Sequence, residues 1–181
     1  SHYRHFRGTT DDTVSGNNVG RNVIGRVSLT TSNAAPEMFF TGEAGAVFNG
    51  MRWSQDGKTI TLADVGQGKV MTLDVSTKNA ALRCTTPAMK AVGVPNDLAL
   101  AKDGRVYLSG QDWGTSKGAI FFCAKGSTTA VLLEDNMGRT NGIALSPDDK
   151  VGAVLSSEGH SGGRCVWCVC VCAGGGGGGG G

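Results

Sequence analysis

Residues 49–75, NGMRWSQDGKTITLADVGQGKVMTLDV, decide the fold because the chain says them again twice. The second copy is PNDLALAKDGRVYLSGQDWGTSKGAIFFCA, residues 95–124, and the third is TNGIALSPDDKVGAVLSSEG, residues 140–159. Asn49, Asn96 and Asn141 open the copies, 47 and 45 residues apart. After each Asn comes a short apolar strand (MRWS, LALA, IALS) and then an acidic turn: Asp56-Gly57, Asp103-Gly104, Asp148-Asp149. Asp-Gly between apolar runs is a hairpin signal, because Gly takes positive φ at little cost. Asp149 stands where Gly is easier, and Asp tolerates the left-handed region better than most side chains.

Working outward, a second hairpin follows in each full copy, opened by Gly68-Lys69-Val70 and Gly118-Ala119-Ile120. The same element occurs earlier as Gly25-Arg26-Val27, and PEMFF, ALRC and AVLLE supply a further strand after each. The unit is therefore four strands in about 45 residues, the length of a propeller blade. One such sheet has two faces to bury, and stacking blades around an axis buries them against each other. A β-sandwich also has many short strands but requires no such period. The expected fold class is all-β, a β-propeller with about three blades present. The outer half of one blade falls at 23–41, whole blades at 47–89 and 94–135, and the inner half of another at 140–157. The expected organisation is an irregular N-terminal segment at 1–22, the partial propeller at 23–158, and a Cys/Gly-rich tail outside the fold at 159–181.

Composition agrees. Of 181 residues, 39% are hydrophobic and 18% charged, with a net charge of +2. This balance favours neither a nucleic-acid partner nor a disordered acidic segment, and no apolar run is long enough for a transmembrane helix. No secretory h-region or Asn-x-Ser/Thr sequon is visible. The compartment stays open with the cytoplasm favoured, and the oligomeric state stays open. Four of the six cysteines (Cys165, Cys168, Cys170, Cys172) sit in the tail. C-x2-C can ligate zinc, with His160 as a further donor. Against that, Val-Cys alternation is what a GT-dinucleotide repeat encodes, and a glycine run is what a GC-rich repeat encodes. Cys84 and Cys123 fall in strand patterns and are expected as core thiols that imply no oxidising compartment.

In their order, the NG, PND and NG blades resemble the senescence-marker/gluconolactonase family of six-bladed propellers, over about residues 23 to 158. The resemblance implies a metal-dependent hydrolase of lactones or related small esters, with one divalent cation (Ca²⁺ or Zn²⁺) on the axis. It matches Asn141 to a metal ligand and Asn96 to an Asn beside metal and substrate. Asp97 becomes a substrate contact, and Asp112 a polar residue near the site. Such an ion takes carboxylate and amide oxygens and would polarise the lactone carbonyl. The departures matter. No Glu-Gly-Pro precedes residue 23, Glu37 and Glu43 lie in the wrong element to replace its Glu, and no later DG blade supplies an Asp. Two neutral amides hold a divalent ion weakly, so weak metal binding and impaired activity are expected. Asn96 and Asn141 also admit a plain reading as turn residues bonding their own backbone, and Asn49 is expected to be only that. No G-x-S-x-G elbow occurs, which disfavours a serine triad. The competing function is a non-catalytic propeller scaffold of the NHL or strictosidine-synthase-like kind, since one fold hosts many functions.

Overall fold

The computed structural model describes residues 3–7, 22–112, 114–115, 117–157 and 164–167. Among the described residues, apart from one four-residue helix, every regular element is a strand. Strands β1 (Tyr3–Arg7), β2 (Val23–Ser28) and β3 (Glu37–Thr41) form the first sheet. The second sheet is β4 (Phe48–Trp53), β5 (Thr59–Asp64), β6 (Lys69–Asp74) and β7 (Ala80–Thr85). Helix α1 (Ala88–Ala91) leads into the third sheet: β8 (Val94–Leu100), β9 (Val106–Asp112), β10 (Lys117–Cys123) and β11 (Ala130–Glu134). The fourth contains β12 (Arg139–Leu145), β13 (Gly152–Ser157) and β14 (Arg164–Trp167). Each sheet is an antiparallel meander in chain order. The second and third are the complete four-stranded blades read from the repeat, and the chain is a partial β-propeller.

Pairing extends past residues 23–158 on both sides, through β1 against β2 and β14 against β13. Each adds a ladder to a strand whose backbone groups would otherwise lie at a sheet edge. The remainder of the tail, including Cys168, Cys170, Cys172 and His160, lies outside the described residues.

The acidic turns form as their chemistry requires. Gly57 and Gly104 have φ of 68° and 90°, and Asp149 takes the same left-handed conformation at 57°. Apolar residues then alternate so that both faces of a blade are covered. Ile24, Phe39, Phe48, Ile60, Leu62 and Leu73 join the first two sheets. Val70, Met89, Leu98, Leu108 and Phe121 join the second and third. Ala99, Tyr107, Ile120, Ile143 and Val154 join the third and fourth. At about 1.5–3 kcal/mol per buried large side chain, these seams outweigh any single polar contact between blades.

Cys84 and Cys123 correct the expectation of free core thiols: they form a disulfide across the second and third sheets, with Cα atoms 6.3 Å apart. Both are fully buried. They lie on β7 and β10, 39 residues apart in sequence, and meet only because the blades stack. A disulfide belongs to oxidising surroundings, which removes one ground for favouring the cytoplasm. Its neighbours in β7 also cross the seam. The Arg83 guanidinium donates to the carbonyls of Ser127, Gly104 and Ala124, at 2.7, 2.9 and 2.9 Å. Thr85 makes a parallel backbone bridge to Thr129. Among the described residues, no helix is long and apolar enough to cross a membrane.

Candidate active site

The inner strand of each blade carries a β-bulge at the same place in the repeat. The register shifts between Phe48 and Met51 in β4, between Pro95 and Asp97 in β8, and between Thr140 and Ile143 in β12. Asn49, Asn96 and Asn141 lie within these irregularities. A bulge inserts an unpaired residue, which re-aims its side chain out of the ladder. The Asn-Gly and Asn-Asp dipeptides are therefore bulge residues on strands, and the reading of them as plain turn residues is corrected.

Two of the asparagines are directly joined. Asn49 Nδ2 donates to Asn96 Oδ1 at 3.0 Å, across the second and third blades. Asn96 Nδ2 in turn donates to Gln111 Oε1 at 3.0 Å. Asn96 and Gln111 are both buried, where an unmet amide would cost about 1–3 kcal/mol. The chain of amides satisfies itself. Asn141 occupies the equivalent position on β12, the neighbouring inner strand. It is exposed, and its backbone carbonyl accepts from the Ser109 hydroxyl of β9. Next to it, the buried Thr140 hydroxyl donates to the Gly110 carbonyl. Asn96 and Asn141 thus lie on neighbouring inner strands, whose backbones both meet the Ser109 hydroxyl, at Asp97 and at Asn141.

Asp97 is committed elsewhere. Its Oδ2 accepts from Arg52 Nη2 at 2.9 Å on the preceding blade and from the Ile143 backbone N–H at 3.3 Å on the following one. It clamps three successive inner strands. Asp112 ends β9 in a side-chain-closed turn, with Oδ1 accepting from Gly114 N at 2.9 Å and Oδ2 from the Thr115 hydroxyl at 2.5 Å. The Thr115 hydroxyl, followed by the Gly114 N–H, holds its carboxyl below the ordinary Asp range. Asp112 is therefore ionised and tied to its own loop.

The donor set does not fit the divalent ion that the resemblance implies. Asn96 spends its amide oxygen on Asn49, and Asp97 spends a carboxylate oxygen on a guanidinium. Among the described residues, no three His, Cys, Asp or Glu side chains converge. Hard cations need several oxygens, carboxylates among them.

Sequence reasoning missed Asn49, Gln111 and Arg52. Asn49 was findable from its 47-residue spacing to Asn96. Gln111 stands just before the Asp112 that drew attention, and Arg52 has no counterpart in the other repeats.

No family model matches the chain. A gluconolactonase from Zymomonas mobilis subsp. mobilis is 31% identical over 113 residues, 56% of this chain and 31% of that protein. The chain is similar to gluconolactonases. It spans about a third of the length of that curated relative. A solved gluconolactonase from Xanthomonas campestris superposes with a TM-score of 0.57 at 16% identity, covering 77% of this chain and 52% of that one. A TolB homologue from Agrobacterium tumefaciens gives 0.62 at 22% identity, covering 84% and 52%. A chain of a nidogen/laminin complex gives 0.60 at 14%, covering 75% and 50%. The structural likenesses establish the propeller fold. The sequence likeness to a gluconolactonase is separate from them.

Proposed function

We propose that this chain is a sector of a lactone-hydrolysing propeller, acting on a small lactone or related ester, and that its catalytic power is impaired as it stands. One observation carries the reading: Asn49 and Asn96, at the bulged starts of β4 and β8, and Gln111, near the end of β9, form a continuous amide chain, in a chain 31% identical to a gluconolactonase over 113 residues. The chain uses one of the two N–H groups on Asn96 Nδ2 and none on Gln111 Nε2, and an amide donor so positioned suits the carbonyl oxygen of a lactone, where negative charge gathers as water attacks. The impairment follows from the carboxylates. Asp97 is paired to Arg52 and Asp112 is closed into its turn, so neither is placed to take a proton from water. The division into a segment at 1–22, a propeller at 23–158 and a tail at 159–181 belongs to the same proposal, with β1 and β14 pairing onto the propeller from the two flanks.

The test is hydrolysis of glucono-δ-lactone followed by base uptake, with and without EDTA, for the chain and for Asn96→Ala. A slow rate above the buffer rate that Asn96→Ala abolishes supports the proposal; equal rates for the two proteins overturn it. Calorimetric titration with Ca²⁺ and with Zn²⁺ is expected to show binding weaker than micromolar. Micromolar or tighter binding overturns the impaired-site reading. The scaffold reading is favoured by the self-satisfied bonds of Asn96 and Asp97. It is distinguished by buffer-level hydrolysis from the chain and the variant alike.

A further inference from the structure

We propose that the cleft between the first and second sheets binds a small organic monocation, a substituted ammonium with an apolar body. The cleft is a cavity of about 210 Å³. Its apolar wall includes Phe40 of β3, Phe48 of β4 and Met71 of β6. The two phenylalanine rings stand with centroids 6.1 Å apart and planes inclined at 32°. Its polar lining is Asp64, Glu43 and Lys69.

Asp64 points to the ligand. It is 1% exposed, at the end of β5. Oδ1 is fully used by the turn, accepting from Val47 N at 2.9 Å and Gln67 N at 3.1 Å. Oδ2 has no hydrogen-bond partner. A buried carboxylate oxygen left so costs more than almost any other polar group. Lys69 does not answer it, since its ammonium pairs with Glu43 at the rim. The three charges sum to minus one, so one positive charge completes the site. A divalent metal is disfavoured: it needs about six oxygens, and an ammonium group already stands there. An alkyl- or arylalkylammonium satisfies every wall at once. Its N–H donates to Asp64 Oδ2, an atom closed to solvent until the lining parts, in a charge-assisted bond, and its charge and carbon body rest against two aromatic faces and Met71. None of the cleft's lining residues belongs to the Asn49–Asn96–Gln111 chain, although Phe48 precedes Asn49 in β4, and the inference does not depend on lactone hydrolysis.

Gly42 supplies a second handle. A Cβ there would fall 2.5 Å from Phe48 Cζ and 2.9 Å from Phe48 Cε2, so a methyl group must push the ring while leaving Asp64 untouched. The probe is benzylammonium, titrated into the full chain and followed by amide chemical shifts. The neutral near-isostere benzyl alcohol is the control. Saturable binding is expected at millimolar probe or below, with shifts at Phe40, Phe48, Asp64 and Met71. Benzyl alcohol and Asp64→Asn should each weaken it at least about tenfold, as loss of one charge-assisted bond requires, and Gly42→Ala should weaken it by displacing Phe48. Asn retains Oδ1 for the Val47 and Gln67 amides, and a thermal melt checks that the variant folds. If it does not fold, the benzyl alcohol and Gly42→Ala comparisons decide. Absence of saturation, equal binding of benzyl alcohol, or undiminished binding by a folded Asp64→Asn protein overturns the proposal.

Discussion

Asp97 follows Asn96 in sequence, yet the two do different work. Asn96 faces another amide, while Asp97 ties the second blade to the fourth through Arg52 and the Ile143 N–H. Removing its carboxylate leaves Arg52 Nη2 and a backbone donor without that acceptor, while Arg52 Nη1 keeps the Met51 carbonyl. Arg52 is 41% exposed and recovers part of the loss in water. Asp97→Ala is therefore expected to lower the urea-unfolding free energy by about 1–2 kcal/mol, and Arg52→Ala by less than about 1 kcal/mol. A larger effect from Arg52→Ala would show that the ion pair outweighs the backbone bond. The sequence singled out Asp97 beside Asn96 as a substrate contact, and its carboxylate instead bonds Arg52 and the Ile143 N–H. Its partners were hidden because both come from other repeats, and no periodicity names a cross-blade acceptor.

At the scale of the element, the blades owe their turns to aspartates. In WSQDG and LSPDD, Asp56 and Asp148 accept from the Ser54 and Ser146 hydroxyls, each of which lowers its carboxyl's pKa. Asp74 goes further. The Thr77 N–H, the Ser76 hydroxyl and the Thr77 hydroxyl all meet one oxygen, and its pKa falls to about 2. A carboxyl depressed in the folded state stabilises it above the unfolded pKa, and that stability is lost as pH falls through the folded value. The urea midpoint should therefore decline between about pH 4 and about pH 2, and Asp74→Asn should flatten part of that slope. An unchanged slope would remove Asp74 from the acid limb. The Asp74 turn, followed by Val75, carries no Asp-Gly or Asp-Asp, but the turns at Asp56 and Asp148 were legible from those dipeptides alone, because their chemistry is local. The bulges at Asn49, Asn96 and Asn141 were not, because they appear only when a neighbouring strand fixes the register. Gly50 shows the constraint: a Cβ there would lie 2.7 Å from Asp97 Cα on the next blade. Gly50→Ala forces two inner strands apart and is expected to cost about 1–3 kcal/mol, read by chemical denaturation.

For the molecule as a whole, the 45-residue period revealed which strands make a blade, and the apolar alternation revealed that blades stack. It could not reveal that Cys84 and Cys123 meet, since each occupies an ordinary apolar slot in its own repeat. Only the stacking brings β7 of one blade beside β10 of the next. The disulfide closes a loop spanning 39 positions, which on chain-entropy grounds stabilises the fold by about 4 kcal/mol. It also lies on the seam that the Asn49–Asn96 bond crosses. Weakening the outer part of that seam should therefore be felt at the asparagines. The double variant Cys84→Ala/Cys123→Ala, which also removes two buried sulfurs, is expected to unfold at a lower temperature and to exchange the amide protons of β7 and β10 faster. The Asn96 side-chain amide resonances should broaden or shift as its partner on the preceding blade loses its fixed position. If the melt drops but the Asn96 resonances stay in place, the inner strands hold their own register and the disulfide serves only the outer rim of the blades.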